Sequence, residues 1–185
     1  MWGWRLMARY ILHRFFGQHR GLELAAVRRR DIQLPADLLR EEKVMYTRVD
    51  RPKNAWAGPL KQHSTVDAER ELAFIARYVS CLGEEELIYP FSHSQLLSRW
   101  QRLMDALGNN PRLLPLRSLR GGGTVWLWGF VKDLPYVCWQ GRWQEVRNVE
   151  YYLQEAYSRS IVSGLSQRSK SKLVFLESLY PRMIS

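Results

Sequence analysis

Apolar residues in the opening stretch recur at helical intervals, with Leu6, Tyr10, Ile11 and Phe15 on one face and basic residues on the other, until Gly17 interrupts the pattern. A second helical stretch follows through Leu22, Leu24, Ala25, Ala26 and Val27 and runs out in Arg28-Arg29-Arg30-Asp31. From Lys43 to about Thr65 the pattern changes to short runs such as Val44-Met45-Tyr46-Thr47, punctuated by Pro52, Asn54, Gly58 and Pro59. That predicts a small β-hairpin or three-strand sheet. Asp67 is placed to cap the next helix, in which Leu72, Ile75, Ala76 and Val79 recur until Gly83. Another helix is predicted from about Ser94 to Leu107, with Leu97, Trp100, Leu103, Met104 and Leu107 inward.

After the turn Gly108-Asn109-Asn110-Pro111 come three more helical candidates, about Arg117 to Trp128, Leu134 to Trp139 and Val146 to Tyr157. The segment SRSIVSGLSQRSKSK then reads as a polar linker to a short terminal helix around Leu173 to Leu179. The expectation is an α+β fold, mainly α, of helices with a small antiparallel sheet in the N-terminal third. Residues 1–160 would form one domain, and residues 161–185 a linker and helical tail. A chain of 185 residues with 46% hydrophobic residues can bury one sizeable core.

Charge adds a partner to this picture. The net charge is +10, with the surplus almost all arginine, and points to a polyanion. Cys81 and Cys138 stand far apart with no CxxC, and His13, His19, His63 and His93 show no pairing at ligand intervals. Neither a disulfide framework nor a metal centre is indicated, and a reducing, intracellular compartment fits. The apolar opening stretch is broken by Arg5, Arg9, His13 and Arg14, so it reads as a core helix and not a leader. No uncharged apolar run reaches the ~18 residues of a membrane span.

One set of spacings carries chemistry. Leu116-Arg117-Ser118-Leu119-Arg120-Gly121-Gly122-Gly123-Thr124 is followed by Gly141-Arg142-Trp143 and then Glu150-Tyr151-Tyr152-Leu153-Gln154-Glu155. This resembles the C-terminal half of the tyrosine recombinase (phage-integrase) family, and its wording is similar to eukaryotic, mobile-element-associated members. In that family a His-x-x-Arg motif opens a helix, a Gly-x-His or Gly-x-Trp motif lies about two dozen residues on, and the nucleophilic tyrosine comes nine residues later. Arg120, Trp143 and Tyr152 fall at those intervals. Gly17-Gln18-His19-Arg20-Gly21-Leu22-Glu23 resembles the segment carrying the family's first arginine, which places Arg20 there, with Glu23 orienting it. The family's lysine sits on a turn between two strands. Arg51-Pro52-Lys53-Asn54 occupies that setting, which favours Lys53 over Lys61.

The resemblance implies an integrase-like catalytic domain that cuts and rejoins double-stranded DNA, in recombination or integration, through a 3′-phosphotyrosyl intermediate. It implies no metal or small-molecule cofactor, a homo-oligomer in the form of a synaptic tetramer, and a nuclear location in a eukaryote. Relatives carry an N-terminal helical domain that completes a clamp around DNA, so the chain is expected to represent the catalytic half alone. The implied roles make chemical sense. Two guanidinium forks, Arg20 and Arg120, can hold the non-bridging oxygens while staying charged. Lys53 would protonate the leaving 5′-oxygen, and Trp143 would offer an indole N–H to a phosphate oxygen. A tyrosine is a phenol with an unperturbed pKa of ~10, so a nucleophile at position 152 needs its proton removed or its anion stabilised by the same positive cluster.

The sequence departs from the family in one place. Arg117 stands where the family has histidine, and a guanidinium cannot act as a base near neutrality. Arg117 would then add only electrostatic stabilisation. This feeds an alternative, a weakened or inactive DNA-binding module derived from a mobile-element recombinase. A helical protein whose basic surface meets RNA or acidic partners is a third reading. In so arginine-rich a chain any single arginine is by default a surface residue, and Tyr152, flanked by Tyr151 and Leu153, is by default a packed one. Spacing alone singles them out, and Tyr151 remains the competitor.

Overall fold

The first helix, α1 (Trp2–Phe16), turns more than its apolar stripe inward. Tyr10 is buried as expected and Leu6, Ile11 and Phe15 are partly buried against the core, but Met7, His13 and Arg14 are buried too. His13 is tied down at both ring nitrogens, Nδ1 to Tyr89 Oη at 3.1 Å and Nε2 to Thr47 Oγ1 at 2.9 Å. A buried polar ring is tolerated because both of its positions are satisfied. This is a computed structural model, and it describes residues 2–38, 43–50, 62–153 and 162–184.

The short helix α2 (Gly21–Ala25) and a single 3₁₀ turn at Arg29–Asp31 lead into the sheet. Its strands are β1 (Ile32–Gln33), β2 (Met45–Val49) and β3 (Gln62–Val66), antiparallel in the order β1-β2-β3. The three-strand form of the prediction is the one observed, with its first strand drawn from before Lys43. Met45, Thr47 and Val49 face the core on β2, as strand alternation requires, and Thr47 pairs in register with Ser64.

Helix α3 (Glu69–Val79) buries Leu72, Phe74, Ile75 and Val79. Its N-cap is Ala68, without a side-chain cap, so the expected Asp67 cap is not used. Helix α4 (His93–Leu107) begins in a capping box, Ser92 Oγ accepting from Gln95 N at 3.2 Å and Gln95 Oε1 from Ser92 N at 3.0 Å. Its core face carries Leu96, Trp100 and Met104, while Leu97, expected inward, is 45% exposed. Gly108, at φ 72°, closes the helix in the left-handed conformation.

Helices α5 (Ser118–Val131), α6 (Leu134–Gly141) and α7 (Val146–Tyr152) follow, with Asp133 capping α6. Helix α5 lies directly on α1. A Cβ on Gly123 would overlap the Phe15 carbonyl oxygen, and one on Gly122 would meet the Phe15 ring at 3.1 Å. Gly123 therefore serves close backbone approach between the two helices. The terminal helix α8 spans Gln167–Met183, longer than the expected Leu173–Leu179. It begins inside the stretch read as linker because Ser166 caps it, accepting from Ser169 N at 3.1 Å. Among the described residues no helix is long and apolar enough to cross a membrane. The architecture is mainly helical, with one small antiparallel sheet near the N-terminal third.

Candidate functional site

Residues from three separated stretches of chain meet where α2 abuts α5 and the α6–α7 connection. Arg20 is the N-cap of α2, and its Nη1 donates to Glu23 Oε1 at 2.9 Å while its backbone N–H donates to Glu23 Oε2 at 2.8 Å. Arg120 lies in the first turn of α5, buried, and its Nη2 donates to the carbonyl oxygens of Gly141 at 2.6 Å and Arg142 at 3.5 Å. Those two carbonyls end α6, so Arg120 fixes the turn that delivers Trp143. The Trp143 ring lies over the Arg120 guanidinium at 4.2 Å, a cation–π contact.

Tyr152, the last residue of α7, completes the layer. Its ring centroid lies 5.4 Å from that of Trp143, and its edge packs against Gly121, where a Cβ would fall 2.5 Å from Cδ1. Tyr152 is 41% exposed and Tyr151 72%. Of the two, Tyr152 is the one seated against Trp143, and Tyr151 touches it edge-on from outside at 5.6 Å.

The electrostatics follow from this crowding. Burial first, then the charges of Arg20 and Arg142, pull the Arg120 guanidinium down to about 9, still protonated at neutral pH. Burial likewise lowers Arg142, which Glu23 partly offsets. Burial alone would raise the Glu23 carboxyl, but Arg142 and the hydrogen bonds and charge of Arg20 outweigh it and hold Glu23 below its ordinary value. His19, fully buried, is held neutral chiefly by its burial and then by His13, Arg142 and Arg120. Its Nε2 pairs with Ser64 Oγ at 2.6 Å, which ties the cluster to β3.

The site residues expected from sequence fare differently. Arg20, Arg120, Trp143 and Tyr152 are brought together, and Lys53 lies outside the described residues. Arg117 is exposed at the N-cap of α5, and no hydrogen bond or ion pair ties it to the cluster among the described residues. It edges a separate cavity of about 350 Å³ with Arg14, Gly21 and Leu22. Trp143 is present, but its indole N–H points inward to Thr124 Oγ1 at 3.3 Å and not to open space.

Sequence reasoning missed two members. Arg142 is buried and donates from Nη2 to Glu23 Oε2 at 2.9 Å. Gln18, also buried, accepts from Thr124 Oγ1 at 2.8 Å. Both adopt positive φ, 55° for Arg142 and 50° for Gln18, which costs a non-glycine residue roughly 1–2 kcal/mol. The only signal in the sequence was an arginine set between Gly141 and Trp143, in a chain where arginine is common. No protein-family model, no characterised protein and no solved structure matches this chain. The site must therefore be read from its own geometry.

Among the described residues no group of three His, Cys, Asp or Glu side chains converges as a metal site would. What the cluster offers is guanidinium donors beside a half-exposed phenol. Such a set can hold an oxyanion and present a tyrosine oxygen to it.

Proposed function

We infer that this cluster is a phosphodiester-cleaving centre that acts on double-stranded DNA in the manner of a tyrosine recombinase. The observation that carries the reading is the meeting of Arg20, Arg120 and Tyr152, from distant stretches of chain, around Glu23 and Trp143. In the reaction, Tyr152 gives up its phenolic proton to water, and its Oη forms a bond to phosphorus as the bond to the 5′-oxygen breaks. The products are a 3′-phosphotyrosyl ester and a free 5′-hydroxyl. Arg20 and Arg120 offset the charge that builds on the non-bridging oxygens, and Lys53 is the candidate donor of the proton to the leaving oxygen. Attack by that hydroxyl on the ester reverses the step, so strands can be rejoined with no external energy source. Recombination or integration of DNA, by an assembly of several copies, is the biological form such chemistry takes.

Trapping tests this directly. Duplexes with a bridging phosphorothiolate release a thiol that cannot re-attack efficiently, so wild-type protein should accumulate a covalent adduct that survives denaturation. Tyr152→Phe should abolish it, and Arg120→Ala should slow it by a factor of roughly a hundred or more. An adduct of equal yield with Tyr152→Phe would remove the assignment.

A second reading has its own support: a domain that grips DNA without cutting it. Arg117 stands apart from the cluster in the place of a histidine, and the Trp143 N–H is engaged by Thr124. This reading expects salt-sensitive duplex binding and no adduct from any substrate.

A further inference from the structure

Two of the three guanidiniums of the cluster share a single carboxylate. Glu23 gives Oε1 to Arg20 Nη1 and Oε2 to Arg142 Nη2, each at 2.9 Å, while Arg120 holds the Gly141–Arg142 turn through its carbonyls. Glu23 is therefore the strut between the two outer guanidiniums, with Arg120 beside both. Donors remain open in this arrangement. Nε and Nη1 of Arg142, and Nε and Nη1 of Arg120, are buried with no hydrogen-bond partner. Buried donors on a charged group are costly when left unmade, and an arginine kept for packing alone could point into water. Two such groups side by side, one of them in a left-handed backbone conformation, leave a place for acceptors.

We propose that Arg142 is the third guanidinium of an oxyanion-binding site, and that Glu23 is a positioning residue that sets Arg20 and Arg142 on either side of Arg120. The proposal rests on the reading of this cluster as the place that holds a phosphodiester. Charge counting favours it. Three guanidiniums and one carboxylate leave two positive charges. A phosphodiester carries one negative charge, and the five-coordinate state reached during attack carries two. The site thus matches the second better than the first, which is the condition for accelerating the step. The ligand class is a tetrahedral or trigonal-bipyramidal oxyanion. The Trp143 ring covers Arg120 and lies tilted beside Tyr152, so the aromatic pair borders the place where the oxyanion would sit.

The test uses the full chain, with inorganic phosphate and orthovanadate as probes and sodium chloride at matched ionic strength as the reference. Thermal unfolding of the wild type should shift upward with either oxyanion beyond the chloride effect. Arg142→Gln should weaken the apparent phosphate affinity at least fivefold, and Arg142→Lys should restore part of it. Glu23→Gln should bind phosphate at least as well as wild type yet form the DNA adduct more slowly, a loss of rate without a loss of binding. If Arg142→Gln does not fold by circular dichroism, the double variant Glu23→Gln/Arg142→Gln removes both charges of the pair and is titrated by the same criterion. The proposal is overturned if wild type shows no oxyanion-specific shift, or if the Arg142 variant titrates phosphate within twofold of wild type. These outcomes are separable from the Tyr152 adduct test. Loss of the adduct reading leaves the phosphate titration intact, and a phosphate-indifferent Arg142 leaves the adduct intact.

Discussion

Glu23 keeps its charge against its own burial, because Arg142 and Arg20 outweigh the cost of leaving water. Its folded value lies below the ordinary 4.5, so between the two values the unfolded chain binds more protons than the folded one. Stability from this residue is complete above about 4.5 and is lost as pH falls through the lower folded value. Glu23→Gln should cost about 1–3 kcal/mol at pH 7, read from urea midpoints, and the gap to wild type should narrow below pH ~4.5. A gap constant from pH 7 down to 3 would show that the carboxylate charge is not what stabilises. Tyr152 offers a different residue-level prediction. Gly121→Ala would push a Cβ into its ring edge, and because the ring is half exposed it can swing outward. The expected result is a stability change under ~1 kcal/mol with at least a tenfold slower adduct. Tyr152 could be singled out in the sequence through its interval from Trp143. Arg142 could not, since its importance comes from burial, a left-handed backbone and a partner more than a hundred residues away, none of which is written in local pattern.

At the scale of elements, periodicity located the helices, and tertiary contacts decided their edges. Leu96 takes the inward position expected of Leu97 because it stands four residues before Trp100, on the face that also carries Met104, and the Trp100 indole N–H donates to the Leu114 carbonyl at 2.8 Å. The serine- and lysine-rich start of α8 looks like linker by composition, yet Ser166 supplies the cap and Lys172 donates to the Ala106 carbonyl at 2.8 Å. Helix α5 shows how one residue type divides into opposite roles. Gly123 is pressed against the α1 backbone, so Gly123→Ala should destabilise by about 1–3 kcal/mol or more. Gly129, on the same helix, is exposed and has nothing near its missing Cβ, so Gly129→Ala should stabilise by about 0.5–1 kcal/mol. Chemical denaturation of the two variants checks the pair, and equal effects would mean that α1 and α5 do not meet at Gly123.

For the molecule as a whole, the helical class and the small sheet were legible in hydrophobic pattern, while the buried polar spine was not. His13 and His19 are completely buried and edge-to-face with ring centroids 4.9 Å apart, and burial lowers His13 to about 3. Below pH 6.5 the unfolded chain takes up protons that these folded rings refuse, so stability should fall by up to roughly 1.4 kcal/mol per pH unit for each of them. Thermal unfolding between pH 7 and 4 should show this slope, and it should be reduced in His13→Gln. The same spine also orders events in time. Helix α1 carries His13, Phe15 and, just beyond its end, Gln18, whose partners lie later in the chain at Thr47, Tyr89, Gly123 and Thr124. Nothing made before α5 can seat α1 completely, so α1 waits during synthesis for α5 to arrive and slide beneath it. Nascent chains stalled before residue 123 should leave α1 open to proteases, and chains stalled well past it should not.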